Sequence, residues 1–143
     1  MLISTKGRYA LRLLIDLAEH QSDGYVSLKE VADRQEISEK YLEAIIRILV
    51  KDGILIGLRG KGGGYRLSQS PDHLSVYRVL QLTENSLAPV TCLEATSTPC
   101  ARMADCRTLS LWQGLDQAIS EYLGRYTIAD LMQAGQPGDD YII

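Results

Sequence analysis

Ser38-Glu39-Lys40-Tyr41-Leu42-Glu43-Ala44-Ile45-Ile46-Arg47-Ile48-Leu49-Val50-Lys51-Asp52-Gly53 runs directly into Ile54-Leu55-Ile56-Gly57-Leu58-Arg59-Gly60-Lys61-Gly62-Gly63-Gly64-Tyr65-Arg66-Leu67. Ser38 is placed to cap a helix, and Tyr41, Leu42, Ile45, Ile46 and Leu49 recur at the steps of three and four that put them on one face. Gly53 supplies the left-handed conformation with which such a helix stops. The apolar run Ile54 to Leu58 and the segment Tyr65-Arg66-Leu67 then read as two strands. The glycine-rich stretch between them permits only a turn.

Upstream, Ser27-Leu28-Lys29-Glu30 has the pattern of a capping box, so a short helix is expected from Leu28 to Gln35, broken at Glu36 and Ile37. A first helix is expected from Thr5 to His20, capped by Ser4 or Thr5, with Tyr9, Leu13, Leu14, Leu17 and Ala18 facing inward. Two short helices joined by a tight turn and followed by a hairpin form the element order of a winged helix-turn-helix. In that fold the second helix enters the major groove of DNA and the wing meets the backbone or the minor groove. The fold class expected is therefore mainly α, with a small β-hairpin wing and a long C-terminal dimerisation helix.

Downstream, Ser75 to Thr83 reads as another short helix, and Leu87 to Asp105 shows no period. From about Cys106 to Tyr126 a helical stripe returns, in Leu109, Trp112, Leu115, Ile119, Tyr122 and Tyr126. Thr127 to Asp130 caps a last short helix. Four regions result: a DNA-binding domain over 1–83, a cysteine-bearing loop over 84–106, a dimerisation helix with a terminal short helix over 107–135, and a tail over 136–143. The stripe has too little remaining chain to cover it, which points to a homodimer.

The composition is that of an ordinary globular chain, 45% hydrophobic and 23% charged over 143 residues. The net charge of -3 conceals an asymmetry, because the half through Arg66 carries 11 Lys+Arg against 9 Asp+Glu and the rest 4 against 9. Arg59, Lys61 and Arg66 have no acidic neighbour between Ile54 and Arg66, so phosphate contacts are expected there. No stretch approaches the roughly 18 apolar residues of a membrane span. Lys6, Arg8 and Arg12 interrupt the place of a signal peptide, so a cytoplasmic protein without membrane partners is expected.

The outward residues of the third helix are the candidate DNA readers: Ser38, Glu39, Lys40, Glu43 and Ala44. Glu43 can accept a hydrogen bond from a cytosine amino group, a contact that is informative because a carboxylate is repelled everywhere else on DNA. Arg59 can enter the narrow minor groove, where the phosphate potential is focused. Lys61 stands beside it, and Gly62, Gly63 and Gly64 permit positive dihedrals and close approach. A phosphate-binding P-loop is excluded, since no Gly-Lys-Ser or Gly-Lys-Thr ends the run. No acid-base pair or nucleotide motif supports an enzyme.

Cys92, Cys100 and Cys106 lie in one irregular loop at spacing Cys-x7-Cys-x5-Cys. An odd number of cysteines in a cytoplasmic chain argues against a disulfide framework. Paired Cys-x2-Cys knuckles of a zinc site are absent, whereas iron-sulfur clusters accept wider spacings of thiolate ligands. The alternatives are a cluster, a thiol sensor, or three packed thiols.

Ser4-Thr5-Lys6-Gly7-Arg8-Tyr9-Ala10, Ile37-Ser38-Glu39-Lys40-Tyr41-Leu42-Glu43 and Arg59-Gly60-Lys61-Gly62-Gly63-Gly64-Tyr65 together resemble the bacterial winged-helix regulators that include IscR, NsrR and CymR, the Rrf-two family. The resemblance covers roughly Met1 to Met132. It implies a homodimer held by the long helix and a double-stranded, palindromic operator bound through the Tyr41 and Glu43 helix and the Arg59 wing. In the cluster-bearing members it implies an iron-sulfur cluster, 2Fe-2S rather than 4Fe-4S, on cysteines matching Cys92, Cys100 and Cys106. This chain departs from the IscR pattern in a longer first interval and in Leu109, which stands where that subgroup has a histidine ligand. Arg8 stands where the nitric-oxide-sensing branch has an acidic ligand. The fourth position is open among His20, His73, Glu94 and Asp105. The function implied is a regulator sensing cluster status, redox or nitric oxide, or alternatively a cluster-free regulator responding to a partner protein or thiol oxidation.

Overall fold

The computed structural model describes residues 2–22, 24–95 and 97–135, and the expected tail over 136–143 lies outside them. In chain order the elements are α1 (Thr5–His20), α2 (Leu28–Gln35), α3 (Glu39–Lys51), β1 (Leu55–Leu58), β2 (Gly64–Leu67), α4 (Val76–Thr83), α5 (Leu109–Arg125) and α6 (Ile128–Gln133). Short 3-10 turns at Pro71–His73, Thr91–Leu93 and Met103–Asp105 punctuate the connections. The architecture is a mainly helical winged helix-turn-helix, as the sequence indicated.

The caps act as the sequence implied. Ser4 Oγ accepts from the Gly7 amide, and Ser38 Oγ from the Tyr41 amide, while Ser27 and Glu30 complete a reciprocal box. Gly53 follows α3 with φ 81°. Glu36 ends α2 at φ 55°, a left-handed conformation that costs a non-glycine residue about 1–2 kcal/mol. That residue turns the chain so sharply that Ser38 can start α3 only two residues later.

Leu13, Leu14 and Leu17 of α1, Leu42, Ile45 and Leu49 of α3, Val79 of α4 and Ile128 of α6 are fully buried in one core, with Leu55 and Leu67 closing it from the hairpin. Each such side chain contributes about 1.5–3 kcal/mol by leaving water. Tyr41, which periodicity placed on the inward face of α3, is instead 38% exposed. It lies in the first turn of α3, where its ring packs against Tyr9 of α1 instead of entering the core.

Two long-range ties orient the elements. Asp16 of α1 is only 1% exposed, and Arg34 of α2 meets it bidentately, Nη2 to Oδ1 at 2.7 Å and Nε to Oδ2 at 3.0 Å. Gln35 Nε2 adds a donor to Oδ2 at 2.9 Å. Burial pushes the Asp16 carboxyl up, but the hydrogen bonds from Arg34 and Gln35 and the charges of Arg34 and His20 outweigh it and hold it below the usual range. The second tie is Glu84, at the end of α4, which accepts from the Ser4 amide at 2.6 Å and the Ser4 hydroxyl at 2.7 Å.

The long helix begins at Leu109 rather than near Cys106, because Cys106 is extended and the Thr108 hydroxyl lies 3.4 Å from its Sγ instead of capping the helix. α5 packs on one side against α4 and buries no residue fully. α6 then returns to α1: the Val76 amide donates to Tyr126 O and the Ile128 amide to Leu74 O, which seats Ile128 in the core. The terminal short helix thus packs chiefly against α1 and the turn Pro71–His73.

Removing Arg34 would strand the Asp16 carboxylate, so Arg34→Ala should cost about 3–5 kcal/mol in urea denaturation at neutral pH. Asp16→Asn keeps an acceptor for Arg34 and should cost less. Because the folded pKa of Asp16 is depressed, its contribution is complete above the unfolded value of about 3.9 and is lost as pH falls through the lower folded value. The gap between wild type and Asp16→Asn should therefore close below about pH 4. A reversed order of the two costs would contradict a buried anion at this position.

Candidate nucleic-acid interface and cysteine loop

Ser38, Glu39, Lys40, Glu43, Ala44 and Arg47 are exposed along the outer face of α3, away from Leu42, Ile45 and Leu49. Ser38 Oγ is already engaged as the cap, at 3.1 Å from the Tyr41 amide. The Tyr41 ring meets Tyr9 of α1 edge-on at 5.4 Å and 74°. The Arg12 guanidinium lies 5.1 Å over the Tyr9 ring, while its Nε donates to Gln35 Oε1 at 3.1 Å. A second Arg12 nitrogen donates to the Gln35 carbonyl. The first turn of α3 is thus tied through two aromatic rings and Arg12 to Gln35, one of the two residues that bind Asp16. Glu43 makes no hydrogen bond or ion pair among the described residues, which leaves its carboxylate available.

β1 and β2 pair antiparallel in the register Leu55 with Leu67 and Leu58 with Gly64. Val26 adds a bridge to β2, exchanging amide-to-carbonyl hydrogen bonds with Tyr65 at 2.9 and 2.8 Å. The tip carries Arg59, Gly60, Lys61 and Gly62 into solvent, and neither cation has a partner among the described residues. Gly62 takes φ 78°, the positive dihedral expected of it. Gly63 is needed for a different reason: a Cβ there would lie 2.1 Å from the Leu58 carbonyl oxygen, inside the hairpin itself.

An open groove of about 690 Å³ separates α3 from the wing, with Glu43, Arg47 and Lys51 on one wall and Leu58, Arg59 and Gly60 on the other. Tyr65 forms part of its lining, its ring 3.0 Å from where a side chain on Gly57 would start. Sequence reasoning named Glu43 and Arg59 but passed over Arg47 and Lys51. The intervals of four from Glu43 to Arg47 and from Arg47 to Lys51 were the available signal.

The cysteine loop leaves α4 at Glu84 and reaches α5 at Leu109. Cys92 is half-buried in the turn Thr91–Leu93, and Cys100 and Cys106 are exposed, so none of the three is a core packing residue. The Thr108 hydroxyl, followed by the amides of Thr108 and Leu109, draws the Cys106 thiol below its ordinary pKa. Among the described residues no three His, Cys, Asp or Glu side chains gather as a metal site. His20 lies against Asp16, its Nδ1 2.8 Å from the Asp16 carbonyl oxygen, and His73 sits in the turn Pro71–His73. Glu94 borders a cavity shared with Glu84 and Asp116, and Asp105 is exposed.

No described helix is long and apolar enough to cross a membrane. The profile of the Rrf2 family, described as iron-dependent transcriptional regulator, matches residues 3–134. The protein rrf2 of Nitratidesulfovibrio vulgaris is 41% identical over 133 residues, 93% of this chain and 88% of that protein. CymR, the global cysteine regulator of B. subtilis, superposes with a TM-score of 0.76 at 34% identity, covering 95% of this chain and 99% of that one. IscR of T. potens superposes with a TM-score of 0.76 at 32% identity, covering 99% and 93%. With an exposed outer face on α3, a cationic wing and this kinship over nearly its whole length, the chain belongs to the Rrf2 family and is a DNA-binding transcriptional regulator, not an enzyme.

Proposed function

We propose that the chain works as a homodimer on a palindromic double-stranded operator and that its cysteine loop is the sensing element, carrying an iron-sulfur cluster. The observation that carries the DNA side of this reading is the pairing of an exposed, unengaged Glu43 on α3 with an unengaged Arg59 at the wing tip, on the two walls of one groove. Glu43 would read a base edge, with Ser38, Lys40 and Tyr41 setting the entry of the helix. Arg59, with Lys61, Gly62 and Gly63 forming the turn around it, would meet the minor groove.

The dimer rests on α5. Leu111, Leu115 and Tyr122 are 60%, 41% and 53% exposed, and a shallow apolar site of Ile3, Ala118, Ile119, Tyr122 and Leu123 borders them. Apolar surface on this scale calls for a partner, and a second copy offers the same stripe. Pairing α5 with its symmetry mate would present two recognition helices about one DNA turn apart, roughly 34–36 Å.

The donor chemistry of Cys92, Cys100 and Cys106 fits a thiolate-held cluster: three accessible thiols in one loop, one of them acidified. The description of the family as iron-dependent supports the same reading. These residues would hold three positions of a 2Fe-2S cluster, which would supply a redox-sensitive group, and the fourth position is open. The second reading, a cluster-free regulator that responds to thiol oxidation or to a partner protein, is supported by the finding that no three His, Cys, Asp or Glu side chains gather as a metal site among the described residues.

Three outcomes are expected. Duplexes selected from a random pool should be palindromic and bind more tightly than random DNA. Glu43→Ala should relax preference at one base pair per half-site by roughly 1–3 kcal/mol, and Arg59→Ala should weaken binding; equal affinity of wild type for selected and random duplexes would defeat the operator reading. Light scattering at micromolar concentration should give a dimer mass that Leu115→Lys lowers, whereas a single-chain mass for wild type would contradict the α5 interface. Protein purified without oxygen should be coloured and contain iron and acid-labile sulfide, with most colour lost in Cys92→Ser, Cys100→Ser or Cys106→Ser and kept in His73→Ala. A wild type that stays colourless after anaerobic reconstitution with iron and sulfide would leave the cluster-free reading.

A further inference from the structure

Glu43, Arg47 and Lys51 follow one another at intervals of four, so they lie along one face of α3 over about 12 Å of its axis. That face is a wall of the groove whose opposite wall carries Arg59. Arg47 and Lys51 are both exposed, and neither has an ion-pair or hydrogen-bond partner among the described residues. The acidic residue beside Lys51 in sequence, Asp52, is paired with Arg78 of α4 and so does not neutralise the wall. The groove thus holds three cations against the single carboxylate of Glu43, and that carboxylate lies at the end nearer the start of α3.

When a recognition helix occupies the major groove and a wing the adjacent minor groove, the sugar-phosphate strand dividing the two grooves has to pass between helix and wing. In this chain that passage is the groove between α3 and β1. We infer that Arg47 and Lys51 form a phosphate clamp on that strand, a sequence-independent pair of contacts that sets the depth and register at which Glu43 meets the bases. The inference rests on the DNA-binding reading above and assigns to the same surface two residues with a distinct role. Contacts to phosphate fix position and carry no sequence information, whereas base-edge contacts carry it.

Arg47 and Lys51 are solvent-facing on a helix whose buried side is untouched, so Arg47→Gln and Lys51→Gln should fold, which circular dichroism and thermal melting verify. Binding of wild type and both variants would be followed by fluorescence anisotropy across a salt series, on a random-sequence duplex of about three helical turns and on a duplex selected by the wild type. Deleting one cation from a phosphate lowers the slope of log affinity against log salt by about 0.9, hence by about twice that for a two-fold dimer. The expected result is this shallower slope for each variant, with affinity falling by the same factor on both duplexes, and a slope restored in Arg47→Lys. Unchanged slopes in variants of a DNA-binding wild type would overturn the clamp and leave DNA binding standing. A loss confined to the selected duplex would overturn it too, by making Arg47 or Lys51 a base reader. A wild type that retains neither duplex at any salt would remove the clamp together with the reading on which it rests.

Discussion

The carboxylate of Asp16 is the constraint around which the DNA-binding part is arranged. A charge 1% exposed on the inner side of α1 has to be matched where it stands, and Arg34 and Gln35, the last two residues of α2, do so with three hydrogen bonds within 3.0 Å. The end of α2 is thereby fixed on α1, and the placement of α3 depends on it. Glu36 accepts a left-handed backbone, Ser38 caps α3 immediately afterwards, and α3 is delivered at one angle to α1. A hydrophobic pair could supply comparable free energy. It could not supply the direction that a bidentate guanidinium imposes.

Through Gln35 the same tie reaches the surface. Gln35 accepts from Arg12, Arg12 lies over Tyr9, and Tyr9 meets Tyr41, so the exposed first turn of α3 is supported by a chain of contacts that ends on a buried ion pair. Tyr41 has the exposure of a surface residue and the packing of a supported one. On the proposed reading of α3 this is a gain, because side chains that meet base edges would start from a fixed turn and lose less freedom on binding.

What the sequence made legible was local. Caps at Ser4, Ser27 and Ser38, the stop at Gly53 and the hairpin each involve residues close together along the chain, and each was found where its pattern put it, whereas the stripe expected on the long helix divides, with Trp112 and Ile119 half-buried and Leu115 and Tyr122 exposed. What escaped was pairing across distance. Asp16 with Arg34 spans 18 positions and Ser4 with Glu84 spans 80, and neither leaves a periodic trace. Gly63 was legible as a turn residue, but its steric reason, the Leu58 carbonyl across the hairpin, exists only once the strands are in register. In the cysteine loop the residue types announced thiol chemistry, while the arrangement of the sulfurs depends on an irregular backbone that no period governs. That is why donor identity there was readable and the ligand geometry was not.

The root of that loop is nonetheless well anchored. Glu84 closes α4, opens the loop and binds the Ser4 amide and hydroxyl. A Cβ on Gly7 would come within 2.8 Å of Glu84 Oε1, so the glycine at the start of α1 is what lets the carboxylate approach. α1 therefore carries the loop root at its first turn, Tyr9 and Arg12 one to two turns on, and Asp16 beyond them. The far end of the loop runs into α5, whose exposed stripe faces outward from the same domain. The loop is tied at one end to α1, which supports the first turn of α3, and at the other to α5, which packs on α4 and leaves Leu111, Leu115 and Tyr122 exposed. The loop therefore has α1, α4 and α5 as its immediate mechanical neighbours, and on the proposed reading a change in its conformation would be passed first to these three helices.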